Sequence, residues 1–186
     1  GLLVAGTVAT LLDPRKPHAQ TIGELTRVTP PRPAPEVVFH TADGSARRIA
    51  DYAGKPVLVN LWATWCPPCV AELPSLAALA RALAPQGILV LPISADRGGA
   101  KTVEAFYAAH AITGLPVLTD ADSALMHAFA VPGLPTTFVI DAEGRIVGME
   151  EGGMDWNAPS VPGVLHRMWG PPRCGSYEGC SSGANG

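Results

Sequence analysis

Two apolar runs separated by a helical pattern constrain this chain most. Val57-Leu58-Val59-Asn60-Leu61-Trp62 is almost continuously apolar, as expected of a strand covered on both faces. The stretch from Gly87 to Ser94, GILVLPIS, has the same character. Between them Val70, Leu73, Leu76, Leu79 and Leu83 recur at helical spacing. Strand, helix and strand in that order predict a βαβ unit at the centre of an α/β fold.

Weaker signals extend the pattern on both sides. Val37-Val38-Phe39 reads as a short strand, Asp43-Gly44 as a turn and Arg48-Ile49 as the lead into the next element, which together predict an N-terminal hairpin. Helical segments are expected over Ala100–His110 and Ser123–Phe129, with a short strand near Pro116–Leu118. Thr136–Ile140 and Arg145–Met149 predict an antiparallel hairpin around Asp141-Ala142-Glu143-Gly144, and Val161–Trp169 a last helix.

The expected organisation is one folded domain over 36–170 with an extension at each end. Residues 1–35 combine the apolar run GLLVAGTVATLL with Thr29-Pro30-Pro31-Arg32-Pro33-Ala34-Pro35, a proline-rich stretch that reads as a semi-rigid spacer. Twelve apolar residues fall short of the about 20 that span a bilayer. They are expected to be the outer end of a signal anchor, although Arg15 and Lys16 then stand on the side that the positive-inside tendency disfavours. Residues 171–186 form a Gly/Ser-rich tail.

With 186 residues, 16% of them charged and a formal net charge of -3, the chain has no long basic run. Neither a nucleic-acid surface nor a polybasic membrane patch is indicated. Four cysteines fall into two local pairs, Cys66/Cys69 and Cys174/Cys180, too few for a disulfide-stapled scaffold of this length.

The first pair stands in Trp62-Ala63-Thr64-Trp65-Cys66-Pro67-Pro68-Cys69-Val70-Ala71-Glu72-Leu73-Pro74, at the junction between the first buried strand and its helix. A C-x-x-C there brings two sulfurs together across one helical turn, the first exposed at the helix start and the second beneath it. That arrangement suits disulfide exchange: the first sulfur attacks a target disulfide and the second resolves the mixed disulfide. A four-cysteine zinc site would have to recruit Cys174 and Cys180, about a hundred residues away and at the wrong spacing.

This motif, with Glu72, with Pro74 five residues after Cys69, and with Gly133-Leu134-Pro135-Thr136-Thr137-Phe138, resembles the thioredoxin-fold thiol:disulfide enzymes. The similarity is to the TlpA/ResA-like group of envelope reductases, over about Glu36 to Trp169. It implies a thioredoxin-like fold with a central αβ insertion, for which the segment from Ser94 to Ala130 is long enough. Cys66 matches the attacking cysteine and Cys69 the resolving one. Pro135 matches the cis proline that faces the cysteines, and Leu134 the residue whose backbone pairs with an extended substrate strand. Trp65 resembles the aromatic beside the active site, and with Pro67 and Pro68 completes the expected substrate face. The resemblance further implies a protein disulfide as substrate, a membrane electron donor of the DsbD/CcdA type, a periplasm-facing location and no cofactor. Cytochrome c maturation and copper-site assembly are the typical family settings.

One departure from ordinary thioredoxins concerns the proton acceptor. Their buried aspartate six residues before the first cysteine is replaced here by Asn60, which cannot take a proton. Glu72 lies three residues after Cys69 and shares its helix face; TlpA/ResA-like proteins carry a glutamate at this place. It is expected to be partly desolvated and to exchange a proton with Cys69. The plainer reading is a solvated first-turn glutamate favoured by the helix dipole.

Two other activities fit this fold less well. A thiol peroxidase would carry proline and threonine upstream of a lone cysteine, and Sco-like copper chaperones use C-x-x-x-C with a distal histidine. The five histidines, His18, His40, His110, His127 and His166, show no metal-ligand spacing, so no metal site is expected. Cys174 and Cys180 are expected to close a small tail disulfide. Pro67 and Pro68 remove two N–H donors from the helix start, where such donors would stabilise a Cys66 thiolate. The dithiol is therefore expected to be a better reductant, with a potential nearer about -270 mV than about -120 mV.

Overall fold

The computed structural model describes residues 21–22 and 25–170. Its central strand is Val57–Trp62 (β5), every residue of which is buried. Leu89–Ser94 (β6) lies parallel to it, from Val57 opposite Leu89 to Trp62 opposite Ser94. The helix Pro67–Leu83 (α1) joins the two, so the predicted βαβ unit is present.

The remaining elements, in chain order, are Thr21–Ile22 (β1), Leu25–Pro33 (β2), Phe39–Thr41 (β3) and Ala46–Arg47 (β4), then, beyond β6, Gly99–Ala109 (α2), Leu118–Thr119 (β7), Ala124–Ala128 (α3), Thr136–Ile140 (β8), Arg145–Glu151 (β9) and Val161–Trp169 (α4). Among the described residues the strands form one sheet in the order β1-β2-β9-β8-β5-β6-β7-β3-β4. β8 and β9 make the predicted hairpin, β3 and β4 the N-terminal one, and the segment from Ser94 to Ala130 supplies α2, β7 and α3.

Strand alternation divides the core. From β5, Val57, Val59 and Leu61 point into one layer with Phe129 and Phe138, while Leu58 and Trp62 point into the other, with Leu73, Leu76 and Leu79 of α1 and Val164 and Leu165 of α4. Asn60 shares the parity of Leu58 and Trp62 and so faces α1. On β8, Val139 belongs to that same layer, which gives Thr137 the same facing.

The proline-rich spacer expected within residues 1–35 is corrected by the sheet. β2 pairs antiparallel with β9, Thr26 opposite Met149 and Pro33 opposite Arg145, with a register shift between Arg27 and Arg32. Prolines lack the N–H a ladder needs, and this strand places Pro30 and Pro31 inside the irregular stretch, where pairing is interrupted anyway. The folded unit therefore begins before residue 36. Smaller differences are the strand starts at Phe39 rather than Val37, and at Leu118 rather than Pro116. The apolar run 1–12 and the tail with Cys174 and Cys180 lie outside the described residues. Among the described residues, no helix is long and apolar enough to cross a membrane.

Candidate active site

The C-terminal ends of the parallel strands β5, β6 and β7 and the start of antiparallel β8 share one edge, marked by Trp62, Ser94, Thr119 and Thr136. In open α/β sheets this edge is where loops converge on a ligand or substrate. Here it carries the loop from Trp62 to Cys66 and the loop before β8.

Cys66 is the N-cap of α1, with Pro67 and Pro68 at the first two helical positions. Proline is favoured there because its missing N–H would have had no intrahelical acceptor. Cys66 and Cys69 are joined as a disulfide, their Cα atoms 5.3 Å apart. The first free donor after the prolines, Cys69 N–H, points at Cys66 Sγ at 3.4 Å. Cys66 is only 5% exposed and Cys69 fully buried. The expectation of an exposed first cysteine is thus corrected: Cys66 belongs to the buried cluster around α1, and what stands out beside it is Trp65, 67% exposed.

The approach loop is held by a residue that spacing did not reveal. Asp96, buried just after β6, accepts from Thr64 N–H at 2.9 Å, from Thr64 Oγ1 at 2.7 Å and from Ser94 Oγ at 2.7 Å. This fixes the residue two before Cys66 to the neighbouring strand. On the other side, the Leu134–Pro135 bond is cis, Pro135 is buried and Leu134 half-buried. Thr136 Oγ1 donates to Gly133 O at 2.8 Å and ties that loop to β8.

Glu72 is buried, 4% exposed, which excludes the solvated first-turn reading. Three donors reach its carboxylate: Asn60 Nδ2 at 2.8 Å on Oε1, and Met154 N–H at 3.0 Å with Trp156 Nε1 at 3.2 Å on Oε2. Burial pushes its proton affinity above the usual carboxylate value, and the three hydrogen bonds offset this only in part. Asn60 also donates to Thr137 Oγ1 at 2.9 Å. Met154 and Trp156 escaped sequence reasoning because they lie 82 and 84 residues from Glu72 along the chain, and Thr137 because it lies 77 residues from Asn60; the sheet and the loop after β9 bring them to these partners. The one available signal was Trp156 itself, a large aromatic in an otherwise small and polar loop.

Next along the same edge is a cleft of about 640 Å³, lined by residues that include Arg97, Asp122, Met126, His127 and Val131. It belongs to the inserted segment and runs up to the loop that ends in Pro135.

The chain's sequence and fold are both similar to those of known proteins. The family model described as AhpC/TSA family covers residues 30–149. The chain belongs to the AhpC/TSA family. Within that family it is similar to the thiol-disulfide oxidoreductase ResA of Geobacillus thermodenitrificans, 34% identical over 69% of this chain and 73% of the relative. It is also 34% identical to the thiol:disulfide interchange protein DsbE of Pseudomonas aeruginosa, over 74% of this chain and 73% of that one. Among solved structures it matches the pneumococcal exposed lipoprotein thioredoxin Etrx1 of Streptococcus pneumoniae with a TM-score of 0.61 and 28% identity, covering 72% of this chain and 99% of that one. The fold is thioredoxin-like, and this AhpC/TSA member is a thiol-disulfide oxidoreductase of the ResA/DsbE type working through its C-x-x-C dithiol.

Proposed function

We propose that the chain is an envelope reductase of protein disulfides, held near the membrane by the segment before residue 21 and re-reduced by a membrane donor of the DsbD/CcdA type. The targets are proteins whose cysteines must be kept reduced, as in cytochrome c maturation or copper-site assembly. Proteins named ResA and DsbE among the relatives, and an exposed lipoprotein among the structural matches, support this setting, as does the use of disulfide chemistry itself.

In this reading the Cys66 thiolate attacks one sulfur of the target disulfide; the target's other sulfur leaves as a thiolate and a mixed disulfide forms. Glu72 takes the proton of Cys69, whose thiolate then attacks Cys66 Sγ, releasing the second target thiol and closing the Cys66–Cys69 disulfide. Trp65, Pro67, Pro68, Leu134 and Pro135 make the surface against which the target segment lies, its backbone paired at Leu134. The cleft beside Arg97 and His127 then contributes to partner choice, since inserted loops at a shared edge shape specificity.

The observation that carries the direction of electron flow is the donor count at the helix start. Positions N1 and N2 are prolines, leaving Cys69 N–H as the donor aimed at Cys66 Sγ. A thiolate with few donors is weakly stabilised, so the reduced form is a strong reductant. Equilibration with glutathione should place the potential nearer about -270 mV than about -120 mV, and a value above about -180 mV would reject the reductase reading. Cys69→Ala expressed in the native envelope should trap oxidised targets as mixed disulfides. Recovery of reduced proteins in their place would mark an oxidase.

A further inference from the structure

The loop after β9 touches both halves of the site. Gly152 N–H donates to Pro135 O at 2.9 Å. A Cβ on Gly153 would stand 3.4 Å from both Cβ and O of Pro68. Met154 N–H and Trp156 Nε1–H both donate to Glu72 Oε2. Trp156 is further anchored by its own N–H on Ser75 Oγ at 3.2 Å, and Ser75 Oγ donates to Glu72 O at 2.8 Å. Five consecutive residues thus form a strap from the cis proline, past the second proline of the cysteine motif, to the carboxylate. Trp156 is 1% exposed and so lies beneath the molecular surface.

The chemistry of the donors makes the two carboxylate oxygens inequivalent. A backbone N–H and an indole N–H can only donate. A hydrogen on Oε2 would face two donors and have no acceptor in either. Oε1 faces the Asn60 side-chain amide, which carries an acceptor as well as a donor. In the disulfide form Asn60 Oδ1 is buried without a hydrogen-bond partner, so turning the amide over brings an acceptor to Oε1 at the same distance.

We propose that the strap Gly152–Trp156 decides which oxygen of Glu72 carries the exchanged proton, Trp156 being the positioning residue: Oε2 is kept as an acceptor and the proton goes to Oε1, against Asn60. Asn60 cannot take the proton, but its amide can follow it, donating to the carboxylate and accepting from the acid. The inference rests on the proposed role of Glu72 in proton exchange with Cys69.

Trp156→Phe keeps the ring and removes the donor. The carboxylate then loses one of its three hydrogen bonds, and the inflection in the rate of mixed-disulfide resolution against pH should move up by about one unit, a roughly tenfold gain in proton affinity. A merely structural tryptophan would lower the rate by the same factor at every pH. In the Glu72→Gln, Trp156→Phe double variant the profile should match that of Glu72→Gln alone. If Glu72→Gln by itself leaves the pH profile unchanged, the role of Glu72 falls. If Glu72→Gln changes the profile and Trp156→Phe does not, the strap proposal falls alone. A second readout needs no change at Trp156: in the intact protein labelled with ¹⁵N-tryptophan, one indole N–H resonance should titrate, and should cease to do so in Glu72→Gln. An unchanging set of indole resonances across the pH range would overturn the assignment.

Discussion

Asn60 Nδ2 lies 2.8 Å from Glu72 Oε1, so the central strand β5 and the cysteine helix α1 are joined by one buried polar contact. The Asn60→Asp variant replaces that donor with a second buried carboxyl, and two carboxyls in one site cannot both ionise cheaply. Stability should fall as pH rises through the range where the second proton is lost, by about 1.4 kcal/mol per pH unit for each proton held only by the folded state. Denaturant midpoints measured from pH 5 to 8 check this; a slope equal to the wild type would mean that the two side chains do not share a site.

The raised proton affinity of Glu72 has its own stability signature. Between the ordinary carboxylate value and the raised one, the folded protein holds a proton that the unfolded chain has released. Stability is therefore greatest below the ordinary value and is lost as pH rises through the folded one. Glu72→Gln cannot ionise and should be flat over that window. The difference in melting temperature between variant and wild type should widen in favour of the variant as pH rises, then level off. Parallel curves would show that Glu72 titrates at its unfolded value.

Restoring the missing donors tests the reductant reading at residue level. Pro67→Ala together with Pro68→Ala returns two N–H groups to the helix start beside Cys66. A hydrogen bond to a charged group is worth about 1.5–3 kcal/mol, and about 1.4 kcal/mol corresponds to 30 mV. The potential should rise by about 30–60 mV for each donor that reaches the sulfur. A potential unmoved or lowered in glutathione redox titration would show that the prolines act through something other than donor count.

Tyr107 carries a hydroxyl that is buried without a hydrogen-bond partner, and burial holds its proton affinity well above the usual tyrosine value. Its ring stacks on Trp62 with centroids 5.7 Å apart. Tyr107→Phe keeps that stacking and removes the unsatisfied group, so stability should rise by about 1 kcal/mol, or about 2–4 °C in melting temperature for a chain of this size. A destabilised variant would reveal a partner for the hydroxyl.

The elements read from the sequence are those whose signal is local. The run Val57–Trp62 and the helix Val161–Trp169 appear at the residues expected, because continuous burial and amphipathic period are properties of a few neighbouring side chains. The strand β2 was not legible, since three prolines within it argue against pairing unless an irregularity in the strand itself absorbs them, as the extra residues between Arg27 and Arg32 do for Pro30 and Pro31. At the site, the cysteines, Glu72 and Pro135 were marked by motif and by family resemblance. Asp96 under the approach loop was not, because its value depends on β6 lying beside β5.

The sequence alone determined the reactive pair, the helix that starts on it and the place of a carboxylate one turn further on, because all three follow from spacing along one helix. Tertiary structure decided what that carboxylate is. Burial raises its proton affinity, Asn60 reaches it through strand parity, and Met154 and Trp156 arrive from a loop more than eighty residues away. Proton affinity is set by the groups that surround an oxygen in space, and no spacing along the chain records which groups those will be.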